Sequence, residues 1–215
     1  MSYVVSMGRE SFNDALKYVS EAKECYSDER TYGMWSASRA AMFSMCLSAE
    51  SELSRLIVKS LEKIGESNWT TDQRSIYRYL TEYTKENESP PDCITTIARK
   101  YKQVLSINGK EIEKVRLPQG YRNASMLRNK ITHYSFSKNH SVFSMNILDE
   151  LEKFINEIRI FLKHIFAICD LEYPHWIDKD NYVTLDKKFK ETQEVRNFEI
   201  VLSWKDHEDN GQGNT

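Results

Sequence analysis

Apolar residues recur at intervals of three and four positions along most of this sequence, which is the period of an amphipathic α-helix. The pattern is clearest between Met145 and Asp170. Its apolar stripe there comprises Leu148, Leu151, Phe154, Ile155, Ile158, Phe161, Leu162, Ile165 and Phe166. Glycine and proline, which interrupt helices, occur only 7 and 4 times in 215 residues. The pattern therefore predicts an all-α fold in which this segment is the central core helix.

The same spacing predicts the other helices of the bundle, about five to six in all. They are expected at residues 9–28, 35–64, 70–86, 92–105 and 121–134. The first two are expected to pack as an antiparallel pair. The Asn108-Gly109 dipeptide is typical of a turn, so residues 106–120 are interpreted as a loop or a small hairpin. Ser144 is predicted to cap the core helix.

The periodic pattern ends near Leu171, which indicates two parts of unequal size. Residues 1–170 are expected to form one helical domain, and residues 171–215 a C-terminal extension that is partly docked. The extension has apolar side chains spread through a charged background, at Pro174, Trp176, Tyr182, Phe189, Phe198 and Trp204. Residues after about Lys205 are polar and predicted to be disordered.

Charge and cysteine content narrow the class of protein. Thirty basic and 32 acidic side chains nearly cancel, so any nucleic-acid binding must come from a local patch. The four cysteines are far apart and form no CxxC pair, so neither a zinc site nor any other metal or cofactor site is predicted. The N-terminus lacks the pattern of a secretory signal, and residues 158–169 are too short and too charged to span a bilayer. A cytoplasmic protein without membrane contact is expected.

The segment from Arg128 to Tyr134 carries the side chains best suited to chemistry. A histidine exchanges protons near neutral pH, so His133 is a candidate general acid or base. A guanidinium is permanently charged and binds phosphate oxygens in pairs, so Arg128 is a candidate for stabilising phosphate charge. Asn129 lies four positions before His133 and therefore on the same helical face, where it can orient the imidazole or a phosphate oxygen.

This Arg-Asn-x-x-x-His pattern, placed before the last long helix of a helical bundle, resembles the HEPN domains (higher eukaryotes and prokaryotes nucleotide-binding). The resemblance covers roughly residues 9–170. It implies a HEPN-like bundle and a metal-independent endoribonuclease with a role in defence or in a toxin-antitoxin pair. Arg128, Asn129 and His133 match the motif positions, which in the family line a cleft at a two-fold dimer interface. RNA as substrate, and an antitoxin or another defence protein as partner, are what the resemblance implies.

Helix geometry also favours a homodimer. Arg128 precedes His133 by five positions, about 140° around an ideal helix, so their side chains diverge. Two copies related by a two-fold axis could bring both pairs to one groove.

Two features depart from a simple reading of the motif. The Arg-x4-His spacing recurs at Arg159 and His164 inside the core helix, where an apolar context favours a structural role. In HEPN toxins silenced by a nucleotidyltransferase, the modified tyrosine typically stands two positions after the histidine. Here Tyr134 follows His133 directly and Ser135 occupies that position, so this form of control is not predicted.

Further residues near the motif are candidates for binding RNA. Tyr134 could stack on a base, and Lys130 and Arg122 could contact phosphates. Basic residues before the motif form either an RNA track or a solvated face. Glu50 and Glu52 are expected at a solvated rim, although either could brace a site arginine. Two alternatives to a ribonuclease stay open: a non-catalytic HEPN-like scaffold, and a nucleotide-binding module, either partnering a nucleotidyltransferase or another defence protein.

Overall fold

A computed structural model describes residues 6–82, 89–113, 115–132 and 145–183 of the chain. Within these ranges it contains six α-helices and no strand, which confirms the all-α prediction. The helices are α1 (Met7–Ser27), α2 (Thr31–Ile64), α3 (Thr71–Thr81), α4 (Ile97–Ile107), α5 (Gln119–Thr132) and α6 (Ile147–Ile168). Short 3-10 turns occupy Glu66–Asn68, Asp92–Ile94 and His175–Asp178.

The antiparallel pair of α1 and α2 forms one side of the bundle. α2 is the longest helix, with 34 residues, and it contacts every other helix. Alanines on both helices are fully buried, among them Ala15 on α1 and Ala49 on α2, so the two backbones can approach closely. Ser48 strengthens this contact because its hydroxyl donates a hydrogen bond to the Gly8 carbonyl at 2.5 Å.

Helix α6 is the core helix that the periodicity predicts. Of its predicted stripe, every residue except the half-buried Leu148 is buried, and Ile158, Leu162 and Ile165 are fully so. Burying one such side chain contributes roughly 1.5–3 kcal/mol relative to leaving it in water. This stripe packs mainly against α2, and α5 lies against both helices.

Several predicted boundaries are corrected by the structure. The segment predicted as one helix at 92–105 is a 3-10 turn followed by α4, at whose start the Thr96 side chain accepts a hydrogen bond from the Arg99 N–H. The N-cap of α6 is Asn146, so the prediction of Ser144 as cap is wrong; Ser144 itself lies outside the described residues. The described residues between α4 and α5 form a turn and a loop with no strand pairing, so the small hairpin is excluded there. Gly109 takes a φ of 64° in that turn, a conformation that glycine adopts without strain.

The extension is docked as far as Val183. Trp176 is buried with its ring 5.1 Å from that of Phe12, and Ile177 is fully buried. The Asn13 side chain accepts a hydrogen bond from the Val183 N–H at 2.8 Å and donates one to its carbonyl at 3.3 Å. Phe189, Phe198, Trp204 and the predicted disorder after Lys205 lie outside the described residues.

No helix in the described ranges has both the length and the apolar content needed to cross a membrane.

Candidate functional site

The candidate site lies where the last turns of α5 approach α2. Tyr121, Ala124 and Ile131 are buried and hold one face of α5 against the bundle. Gly120 lies against the carboxylate end of the Glu157 side chain on α6. The sequence spacing of these residues therefore determines which side of α5 carries Arg128.

Arg128 is half-buried and points toward α2. It follows Tyr121 by seven positions, which places both side chains on nearly the same face of α5. The guanidinium carbon lies 5.7 Å from the centroid of the Phe43 ring on α2, a cation–π arrangement. The Nε atom is buried and has no hydrogen-bond acceptor within the described part of the chain.

Two buried polar groups lie beneath the guanidinium, the Cys46 thiol and the Tyr121 hydroxyl. Arg128 and Tyr121 are both hydrogen-bonding partners of Cys46. Burial raises the pKa of the Cys46 thiol to about 11, although the Arg128 charge partly opposes the rise. Burial likewise raises the pKa of the Tyr121 hydroxyl. Both groups are therefore neutral near pH 7 and do not compensate the charge of Arg128.

The nearest acidic side chain on α2 is engaged elsewhere. Glu50 lies one turn after Cys46 and is half-exposed, with its carboxylate 2.9 Å from the ammonium of Lys100 on α4. The described residues provide no ion-pair partner for Arg128. Arg128 therefore forms no ion pair in the described structure, although the Glu50 charge reaches the same cluster and helps to raise the pKa values of Cys46 and Tyr121. A half-buried cation without an ion-pair partner favours an anionic ligand.

The other predicted residues of α5 fall on different faces. Asn129 and Lys130 are exposed at the end of the helix. Arg122 is half-buried and donates a hydrogen bond to Gln119. It precedes Arg128 by six positions, about 120° around the helix, so these two arginines do not share one face. The structure thus brings Arg128 together with Phe43, and does not add Arg122 to that group.

His133 and Tyr134 lie outside the described residues. Thr132 is the last residue of α5, so His133 follows the helix directly in sequence. The predicted roles of His133 and Tyr134 stay predictions.

The second Arg-x4-His copy is used for packing. Arg159 forms an ion pair with Asp180 at 2.9 Å, and its guanidinium stands 5.8 Å from the Phe12 ring centroid. Its Nε is also buried without an acceptor in the described ranges, but the ion pair neutralises its charge. His164 shares a hydrogen bond of 2.9 Å with the Tyr101 hydroxyl, and burial lowers its pKa. These contacts support the structural role predicted for this copy.

The expectation of a solvated rim position is wrong for Glu52. This carboxylate is 1% exposed, pairs with Arg55 at 2.6 Å, and accepts a hydrogen bond from Ser6 at 3.4 Å. It lies against Gly8 in the first turn of α1, where the positive end of the helix dipole favours an anion. Glu52 therefore fastens α1 to α2 and does not reach the Arg128 region as a brace.

No group of three or more histidine, cysteine, aspartate or glutamate side chains that could hold a metal ion occurs in the described ranges. No protein-family model matches the chain, and it has no match among curated proteins or among solved structures.

Proposed function

We propose that this protein is a metal-independent endoribonuclease of the HEPN type. The observation that carries the proposal is the half-buried Arg128 guanidinium, which has no ion-pair partner among the described residues and stands five positions before His133 in the sequence. A cation held in this way is suited to bind a phosphate and to stabilise added negative charge on it. In the other copy of the spacing, the Arg159 guanidinium is neutralised by Asp180, so the two copies differ in charge compensation.

The proposed reaction uses the RNA itself as the nucleophile. The 2′-hydroxyl loses its proton to a base and attacks the adjacent phosphorus, and the bond from phosphorus to the 5′-oxygen breaks. The products are a 2′,3′-cyclic phosphate and a 5′-hydroxyl, which takes up a proton. His133 transfers protons in this scheme, Arg128 stabilises the phosphate charge, and Asn129 positions the phosphate or the imidazole.

The proposed active form is a homodimer. Arg128 faces α2, whereas a side chain five positions later would project about 140° away on a continued helix. A second copy related by a two-fold axis could supply the missing partner of each pair. A role in cytoplasmic defence, restrained by an antitoxin or another defence protein, belongs to the same proposal.

Variants at the two Arg-x4-His copies test this function. His133→Ala and Arg128→Ala should each lower the cleavage of mixed cellular RNA by at least ~100-fold, and the wild type should stay active in EDTA. His164→Ala and Arg159→Ala are the matched controls, because their side chains serve packing; they should retain cleavage at a temperature where they are folded. Equal activity of His133→Ala and wild type would overturn the proposal.

A further inference from the structure

An exposed apolar surface lies beside the Arg128 guanidinium and takes no part in the proposed cleavage chemistry. We name it the Phe43 shelf; it consists of Phe43 and Leu47 on α2, which are 44% and 48% exposed. They are four positions apart and therefore lie on the same face of α2. Covering large apolar side chains lowers the free energy of the protein in water, so this surface is suited to bind a ligand.

The charge beside the shelf restricts the chemistry of that ligand. The Arg128 guanidinium carbon stands 5.7 Å from the Phe43 ring centroid, and the guanidinium forms no ion pair in the described part of the chain. The surface therefore offers an aromatic ring and a cation without an ion-pair partner side by side. A nucleotide has the complementary pair, a flat base and a phosphate anion. A purely apolar partner would cover the ring and leave the charge without a counterion.

We propose that an unpaired RNA base stacks on the Phe43 shelf while Arg128 binds a neighbouring phosphate. The identity of the ligand as RNA rests on the proposed function. A base can lie on the ring only when its own face is free, so the subsite selects unpaired nucleotides over a duplex. Loss of one stacked base should weaken binding by about tenfold.

The test measures binding separately from cleavage. Fluorescence anisotropy of a short labelled single-stranded RNA is measured with His133→Ala, which should leave the probe uncut, and with the same protein carrying a second substitution. Phe43→Ala should weaken binding about tenfold, and Phe43→Trp should restore it. Ile160→Ala is the matched control: Ile160 is 54% exposed on α6 beside Arg159, whose charge is paired, so binding should not change. A duplex of the same sequence should bind more weakly than the single strand.

Two results would overturn the subsite. One is single-strand binding by Phe43→Ala within about twofold of the parent protein. The other is sedimentation showing that Phe43→Ala converts a dimer into monomers, which would make the shelf a contact between copies. A different result would refute the ribonuclease proposal alone. If the wild type cuts no RNA but binds single strands in a Phe43-dependent way, cleavage is refuted and the subsite is supported.

Discussion

Arg128→Met should make the protein slightly more stable, although arginine-to-methionine changes in a packed region usually destabilise. Methionine keeps most of the side chain's length and its contact with the Phe43 ring, but it carries no charge. In the described structure Arg128 has no ion-pair partner, and its Nε has no hydrogen-bond acceptor. Removing the guanidinium therefore removes a desolvation cost and no salt bridge, and the hydrogen bond lost with it is a weak one to the Cys46 sulfur.

The magnitude follows from two opposing contributions. The cation–π contact with Phe43 is worth about 0.5–1 kcal/mol at a partly exposed site. A fully buried donor without an acceptor costs about 1–3 kcal/mol. Because Arg128 is only half-buried, this full desolvation cost applies to its buried Nε atom. The desolvation cost of the rest of the guanidinium is smaller. We expect a net stabilisation of about 0.5–1 kcal/mol, or a rise in Tm of roughly 1–4 °C for a chain of this size.

Urea and thermal unfolding followed by circular dichroism measure the effect, and Arg159→Met is the matched control. Arg159 loses an ion pair to Asp180 and a hydrogen bond to the Lys179 carbonyl, so that variant should be destabilised by about 1 kcal/mol. The two substitutions should thus change the free energy of unfolding in opposite directions. If Arg128→Met is destabilised as much as Arg159→Met, Arg128 has a structural role and the reasoning fails.

Three further predictions concern the bundle. Glu52→Gln leaves Arg55 beside a neutral amide in a buried site, so the free energy of unfolding measured in urea should fall by about 3 kcal/mol. A loss below about 1 kcal/mol would show that the ion pair is dispensable. Burial lowers the pKa of His164, so the unfolded chain binds more protons than the folded chain just below pH 6.5. The free energy of unfolding should therefore fall as the pH drops through that region. Urea unfolding of His164→Gln at pH 5.5 and 7.5 should show a smaller pH dependence than the wild type. Leu162→Ala opens a cavity in the fully buried stripe of α6 and should cost about 2–5 kcal/mol, whereas the same measurement on the exposed Ile160→Ala should show less than about 0.5 kcal/mol.

The elements that sequence could predict are those determined by local spacing. The stripe of α6 is regular enough to identify its buried face, and Thr70 with Gln73 forms a reciprocal cap at the start of α3 that a local sequence pattern can produce. The first residue of α6 is harder to predict from sequence, because Ser144 and Asn146 are both good capping residues and stand two positions apart. Local propensity does not choose between them, and packing of the first turn does.

The candidate site was only partly predictable for a related reason. Arg128 and Tyr121 lie seven positions apart on one helix, so their proximity follows from helical spacing alone. Phe43 and Cys46 belong to α2, and no local pattern connects them with α5. The burial of Glu52 had a usable signal, since it stands between Ala49 and Leu56 on the apolar side of α2. A charged residue on an apolar stripe needs a partner, and Arg55, one turn later, was available.

The chemical ends of the cleaved RNA distinguish metal-independent cleavage by Arg128 and His133 from other ribonuclease mechanisms. Wild-type protein is incubated with a defined single-stranded RNA in EDTA, and the fragments are weighed by mass spectrometry. We predict 2′,3′-cyclic phosphate and 5′-hydroxyl ends that disappear in both Arg128→Ala and His133→Ala. Fragments with 5′-phosphate and 3′-hydroxyl ends, or cleavage that needs added Mg²⁺, would contradict it.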